Sequence, residues 1–367
     1  MEPDLVSVIM PVFNGERFLQ QAIDSMLAQT YPNWELVVVD DGSTDGTRRI
    51  VHAYEEARIR YHYQDNRGQA AALNRGLELA QGVLITTLDA DDWLAPGSLA
   101  DRVEYLQANP SHAAVYGDGY YCDSAGKPLL RFAEHMATVG VTGDVFDTLI
   151  VSPFYGTGAS VMVRRLALEK NNIRYDESIV WCQDWDFYIR LAALEPFGFT
   201  PQILVYYRLH EAGMTVSMPG GRRLESLLRL RKKALASRRF QDTRLAQKIA
   251  FFYDYLIVDL ADRTAEQSEV FESEYFLVLP PGERSRLLRL AANQYLLQNT
   301  HLITAREWLR KAWQLSPFDL KTILVSLSTA VNPRLARLIL RSRQRYQGGQ
   351  AKVSPFELAG AYRQAQE

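Results

Sequence analysis

The sequence holds little cysteine, no long apolar run and almost no net charge. Only two of 367 residues are cysteine, Cys122 and Cys182. They build no disulfide framework, and no Cys-x-x-Cys or Cys/His metal spacing occurs, which fits a reducing compartment and excludes a stapled extracellular scaffold. The longest apolar stretches, 249–260 and 323–331, are interrupted by polar residues. Neither reaches the roughly 20 apolar residues that a membrane helix needs. The first residues, Met1-Glu2-Pro3-Asp4, lack the basic region of a secretory leader. A cytoplasmic protein is expected, at most peripheral on the cytosolic face of a membrane. Histidines 52, 62, 112, 135 and 301 share no partner spacing and receive no role.

Apolar residues make up 47% and charged residues 23%, an ordinary globular balance. The net charge of −2 conceals an asymmetry. Residues 1–221 carry 16 Lys/Arg against 29 Asp/Glu, a balance of −13, and residues 222–367 carry 25 against 14, a balance of +11. At about 100–200 residues per domain, the length suggests two domains. Gly220-Gly221 is the best boundary, because Leu/Ala/Arg helical periodicity dominates beyond it. The expected organisation is a catalytic-type domain over 1–220, a helical domain over 221–346 and a loosely ordered tail over 347–367. Residues 291–318 pair two amphipathic helices and resemble one tetratricopeptide-type unit without a second copy.

The first hundred residues alternate between two periods. Apolar runs at 6–10, 36–39, 59–63 and 83–88 read as strands, and 16–29, the stretch carrying Ile50, Val51 and Tyr54, and 69–80 read as helices. Continuous apolar strands separated by helices indicate an α/β fold with a sheet covered on both faces. Ligands in such sheets sit beyond the carboxyl ends of the strands. The polar signatures fall there. Asn14 follows the first strand, Asp40 and Asp41 the second, and Asp89-Ala90-Asp91-Asp92 the fourth. The last cluster suits a hard divalent cation such as Mg2+ or Mn2+ bridging two phosphates, or equally an Asp-rich turn before the next helix. A carboxylate in Asp40-Asp41-Gly42-Ser43-Thr44 can accept bonds from a base or ribose, and Ser43 or Thr44 can cap a helix. Pro11, Val12, Phe13 and Asn14 can bracket a planar base or simply end a strand.

Together, VSVIMPVFN, WELVVVDDGSTDGT and NRGQAAALNRGLELAQGVLITTLDADD resemble, in order and spacing, the family 2 glycosyltransferases of GT-A fold. The resemblance covers about residues 5–110. It implies a GT-A mixed sheet flanked by helices and an inverting transfer of sugar from a nucleotide diphosphate-sugar, UDP-linked, in cell-surface polysaccharide or lipid-linked oligosaccharide synthesis. By this likeness Pro11, Val12, Phe13, Asn14, Asp40, Asp41, Asn66, Gly68, Asn74, Asp89 and Ala90 line the donor nucleotide, and Asp89 and Asp91 hold the metal. Ala72 stands where many members carry Arg, so Arg67 or Arg75 supplies a phosphate contact instead.

Trp181-Cys182-Gln183-Asp184-Trp185-Asp186 resembles the family's acidic pair before Trp, with Gln183 in place of Glu. A direct displacement needs one base to take the acceptor proton, and the likeness assigns it to Asp184, with Asp186 structural. Tyr206-Tyr207-Arg208-Leu209-His210 is similar to the family's Tyr-Arg-x-His segment, which makes His210 a metal or diphosphate ligand and Arg208 a phosphate contact. Asp92, Gln183 and Trp185 join the diphosphate or acceptor side. Tyr-Gly-rich segments at 116–121 and 155–158 are acceptor candidates or ordinary strands and turns. The partners implied are a nucleotide-sugar, a glycan or lipid-linked acceptor and, through the basic half, an anionic membrane. No nucleic-acid motif accompanies the charge. Two rivals stand beside this reading. One is a non-catalytic nucleotide-sugar-binding scaffold, and the other is a sugar nucleotidyltransferase, whose Gly-rich basic loop after the first strand this chain lacks.

Overall fold

The computed structural model describes residues 4–136, 139–153, 155–334, 336, 337 and 340. The expected tail over 347–367, and residues 335, 338, 339 and 341–346 of the expected helical domain, lie outside them. Two compact units divide between Leu230 and Arg231, inside the helix Gly220–Ala236 that the Gly220-Gly221 pair begins.

Unit one is built on a nine-stranded sheet of strands Val6–Val12 (β1), Trp34–Asp41 (β2), Ile59–Gln64 (β3), Leu84–Thr87 (β4), Trp93–Leu94 (β5), Ala114–Cys122 (β6), Pro128–Arg131 (β7), Val161–Arg164 (β8) and Phe197–Arg208 (β9). Their order is β3-β2-β1-β4-β8-β6-β9-β5, with β7 beside β6. β1 lies between β2 and β4, parallel to both, with Val8 facing Leu36 and Thr86. Every residue of β1 and β2 is buried, as the unbroken apolar runs require. Helices Leu19–Leu27 and Gln69–Leu79 connect these strands. Gly76 marks how closely the second approaches the sheet, because a Cβ there would meet the Ile9 side chain at 2.1 Å.

The sheet turns mixed beyond β4, where β8 pairs antiparallel with both β4 and β6. β5 pairs antiparallel with β9, aligning Trp93 with Tyr206 and Leu94 with Val205. This pairing positions the site. The acidic turn 88–92 leaves β4 and is at once held against the end of β9, so Asp89–Asp92 and Arg208–His210 meet although more than a hundred residues separate them. The Tyr-Gly segment 116–121 is largely the buried strand β6, with Tyr116 fully buried and Tyr121 nearly so.

Unit two is helical. Pro281–Gln298 and Leu302–Leu315 form the expected helix pair, tied by Ser285 Oγ donating to Ala312 O at 2.8 Å and by Tyr295 against Trp308 at 5.5 Å. Phe240, Phe251, Phe252, Phe271 and Phe276 pack edge to face around it, the geometry aromatic quadrupoles prefer. Arg231 and Asp259 form a buried ion pair at 3.0 Å. Among the described residues no helix is long and apolar enough to cross a membrane.

Candidate active site

At the end of β2, Asp40 and Asp41 are almost wholly buried, and each oxygen is engaged. Asp40 accepts from Ser43 N at 2.8 Å and Tyr61 OH at 2.6 Å. Asp41 accepts from Gln64 Nε2 at 2.7 Å, Arg67 N at 2.9 Å and Gly68 N at 2.7 Å. Buried carboxylates are tolerable only when bonded in this way. In this structure Asp40 braces the turn 42–44 and Asp41 braces the loop 66–68. Gly42 adopts φ +86°, and a Cβ there would lie 2.9 Å from Asn66 N, so glycine is required twice over. Asn66 and Gly68 are exposed on that loop.

Pro11 and Val12 are buried in β1. Phe13 is 54% exposed, an apolar ring presented to solvent at the carboxyl edge of the sheet. Asn14, at φ +52°, joins the first two loops by donating its N–H to Ser43 Oγ and accepting from Thr44 N, both at 2.8 Å. Asn74 is bonded within the protein. Its amide donates to Tyr175 O and Glu177 Oε1 and accepts from Tyr175 N, tying down the segment 175–177. Arg67 is exposed and pairs with Glu177 at 3.1 Å, while Arg75 pairs with Glu78 on its own helix.

At the end of β4 the carboxylates are under-satisfied. Asp89 accepts one bond, from Gln69 Nε2 at 2.7 Å. Burial, then the charges of Asp91 and Asp184, raise its pKa far above the usual carboxylate value. Asp92 is raised as well, by burial and then by Asp91 and Asp89. Its Oδ1 accepts from Arg208 N at 2.9 Å, and its buried Oδ2 has no partner among the described residues. Asp92 is therefore the pin that holds the acidic turn to β9. Ala90 is buried between the carboxylates. His210 Nε2 lies 2.8 Å from Asp91 Oδ2, and its ring packs against Phe18 at 4.8 Å. The buried His210 Nδ1 has no partner among the described residues.

Asp184 opens the third side. Cys182, in the left-handed region at φ +57°, precedes the helix Gln183–Ala192. Asp184 is thus inside the first turn rather than at the cap, and its Oδ1 accepts from Trp185 N at 2.8 Å. Burial raises its pKa to about 6, which places its charge change near neutral pH. Gln183 donates to Gln69 Oε1 at 2.5 Å, and Gln69 donates to Asp89, so a chain of two amides links the helix to the acidic turn. Asp186 pairs with Arg190 on its own helix at 2.7 Å.

Two expected contacts prove internal. Trp185 is buried with its indole N–H donating to Leu149 O at 2.7 Å. Arg208 is 4% exposed, its guanidinium donating to Asp91 O, Ser124 O and Gln21 Oε1 between the rings of Phe18 and Trp93. Three of its five N–H donors are thus engaged within the protein, which ties it to the acidic turn.

Sequence reading missed Gln69, which leads the third helix, and Arg102. Arg102 is fully buried and bonds Thr86 Oγ1 at 2.8 Å and Ala159 O at 3.0 Å, under the floor of the site. Burial lowers its pKa to about 9. A lone Arg three residues after Leu99 and one before Val103, on the apolar side of the helix Ser98–Ala108, was the available signal.

Among the described residues no group of three or more His, Cys, Asp or Glu side chains forms a metal cage. The donor set fits a hard cation held by few protein ligands, with phosphate and water oxygens completing the shell. Asp91 is half-buried beside His210, and burial, then the charges of neighbouring carboxylates, raise Asp89 and Asp92, so a cation there would offset charge that burial disfavours.

The model of glycosyl transferase family 2 matches residues 7–168. Over 131 residues the chain is 41% identical to the putative teichuronic acid biosynthesis glycosyltransferase TuaG of Bacillus subtilis, covering 35% of this chain and 52% of that one. The matched segments cover 66% and 34% of two Rickettsia glycosyltransferases, so the chain spans only part of the curated relatives. Among solved structures, S. aureus TarS 1-349 in complex with UDP-GlcNAc superposes with a TM-score of 0.58 at 15% identity, over 96% of this chain and 95% of that one. The mannosyltransferase PcManGT from Pyrobaculum calidifontis, in complex with GDP-Man and Mn2+, superposes with a TM-score of 0.53 at 19% identity, over 94% and 88%. The fold is the expected GT-A sheet followed by a helical region. The motifs at the ends of β1, β2 and β4 lie inside the segment that matches glycosyl transferase family 2.

Proposed function

We propose that the chain transfers a sugar from a nucleotide diphosphate-sugar to an acceptor hydroxyl with inversion at the anomeric carbon. The carrying observation is the placement of Asp184, a carboxylate with pKa raised to about 6, across a two-amide chain from the under-satisfied Asp89 beside Asp91. One group is suited to accept a proton near neutral pH, and the others to sit where a diphosphate needs a counter-charge. The base takes the acceptor O–H proton as that oxygen bonds to the anomeric carbon and the bond to the diphosphate breaks. Asp184 holds this role because burial keeps its basicity high while its position in the first helical turn orients it. Asp89 and Asp91, with His210, would hold Mg2+ or Mn2+, which supplies charge neutralisation for a departing diphosphate. Phe13 offers a face for a planar base to stack on.

The UDP-GlcNAc in TarS supports a UDP-linked donor, while the GDP-Man in PcManGT keeps the base as the first quantity to measure. The teichuronic acid relative supports a cell-envelope glycan or lipid-linked acceptor. A thermal-shift screen of nucleotide-sugars with Mn2+ identifies the donor, since a ligand bound only by the folded chain raises apparent stability by mass action. The decisive experiment is Asp184→Asn. Donor binding by calorimetry should persist, while turnover falls about 100-fold to 10,000-fold. Turnover within a few-fold of the parent would overturn the assignment.

A further inference from the structure

The last described helix of unit two, Leu320–Val331, is amphipathic the wrong way round. Its buried residues are Thr322, Val325, Ser328 and Thr329. The hydroxyls among them are satisfied locally, Thr322 by Asp319 at 2.5 Å, Ser328 and Thr329 by Val325 O at 3.0 and 2.6 Å. Its outward face carries Leu320, Leu324, Leu327 and Val331, exposed by 79, 41, 51 and 80%. The spacing of four, three and four residues aligns them in one stripe. Phe318, 91% exposed, and Trp313, 39% exposed, extend apolar surface toward the preceding helix. A folded chain rarely leaves a continuous apolar stripe open to water unless something covers it.

The charges around the stripe say what covers it. Arg310, Lys321 and Arg334 are exposed, and none makes an ion pair with a described residue. The acids nearby are occupied, Glu307 with Lys311 and Asp319 with Arg289 and its own helix cap. A second copy of the chain, meeting this face symmetrically, would bring the same unpaired cations together. An anionic bilayer complements both features, since its headgroups accept the cations and its acyl boundary accepts the stripe.

We propose that the face formed by Leu320–Val331 with Phe318 and Trp313 lies in the plane of an anionic lipid surface, apolar stripe inward and Arg310, Lys321 and Arg334 at the headgroups. At 12 residues the helix is about 18 Å long, so it lies on the membrane without crossing it. The Phe and Trp rings sit where an amphipathic ring is favoured, at the level of the headgroups.

The test is co-sedimentation of the full chain with phosphatidylcholine vesicles, with and without phosphatidylglycerol, at low and high salt. Binding should require the anionic lipid and weaken as salt screens the headgroups. Leu324→Asp with Leu327→Asp should abolish pelleting, and Lys321→Gln with Arg334→Gln should weaken it roughly 25-fold, about fivefold for each cation removed. All four positions are exposed, and circular dichroism with a thermal melt checks that the fold survives. Release of nucleotide from donor in vesicle-free solution should be the same in all variants. Its loss in the parent would count against the transferase reading alone. Equal pelleting of parent and Leu324→Asp/Leu327→Asp protein, absence of parent binding to anionic vesicles, or a vesicle-free dimer that this double variant makes monomeric would each overturn the proposal.

Discussion

At the end of β2, Asp40 and Asp41 are buried and accept five hydrogen bonds between them. At the end of β4, Asp89, Asp91 and Asp92 share the same sheet edge with fewer bonds, an orphaned oxygen on Asp92, and pKa values of Asp89 and Asp92 raised by burial and by their neighbours' charge. Both clusters look alike as sequence, short runs of Asp after an apolar strand. The difference is satisfaction. A carboxylate surrounded by backbone N–H groups stabilises the loops it holds, whereas carboxylates that face one another keep a free-energy deficit that a cation or substrate can remove. Fully bonded and under-satisfied carboxylates are thus divided between the loops after β2 and β4, on either side of β1 at one sheet edge.

The division can be tested from its strongest consequence downward. Asp91→Ala removes the carboxylate nearest His210 and should weaken metal-dependent donor binding about 100-fold or more, given the several kcal/mol a cation contributes at a diphosphate. Calorimetry with Mn2+ and with chelator checks this, and an unchanged difference between the two conditions would locate the metal elsewhere. Next, the two clusters should respond oppositely to loss of charge. Asp41→Asn, which turns one accepting oxygen that faces the 64–68 loop into an amide N–H donor, should cost about 2–3 kcal/mol. Asp89→Asn should be neutral or stabilising because it relieves repulsion at the expense of function. Urea denaturation at neutral pH measures both, and equal destabilisation would erase the contrast.

The smallest effect is the pH dependence of Asp184. As a base it must be ionised, so activity should rise with pH through an inflection near 6. Its folded pKa is raised, so the folded state binds the proton more tightly than the unfolded chain. Stability from this group is therefore full below pH 4 and declines as pH rises through about 6, by roughly 2–3 kcal/mol. Asp184→Asn should flatten that decline, as followed by thermal melts across pH.

Much of this layout was legible before any coordinates. The strands β1 to β4 and the helices between them follow from unbroken apolar runs alternating with helical spacing, and the parallel pairing follows from burial on both faces. Motif order makes His210 a metal or diphosphate ligand, and the structure puts its Nε2 within hydrogen-bond distance of Asp91, a contact that the order alone does not specify. Asn74, Arg208 and Trp185 read as ligand contacts in sequence because residue type carries no information on where donors are spent. Their partners, Tyr175 and Glu177, Gln21 and Ser124, and Leu149, come from distant segments. Gln69 and Arg102 were overlooked for the same reason. A neutral amide and a single Arg on an apolar helix face gain meaning only through what they touch.

The sequence by itself determined that the chain begins as an α/β domain with acidic loops at one sheet edge, and that a basic helical half follows. Periodicity and composition are local, and burial acts on them directly. Tertiary structure alone decided which acids are fully bonded and which are left under-satisfied. The short strand β5 returns the 88–92 turn to β9, and that crossing sets the bonding and burial on which the pKa of each carboxylate depends. It also decided that the apolar side of Leu320–Val331 faces water, because the inward side of that helix was taken by hydroxyls that satisfy themselves.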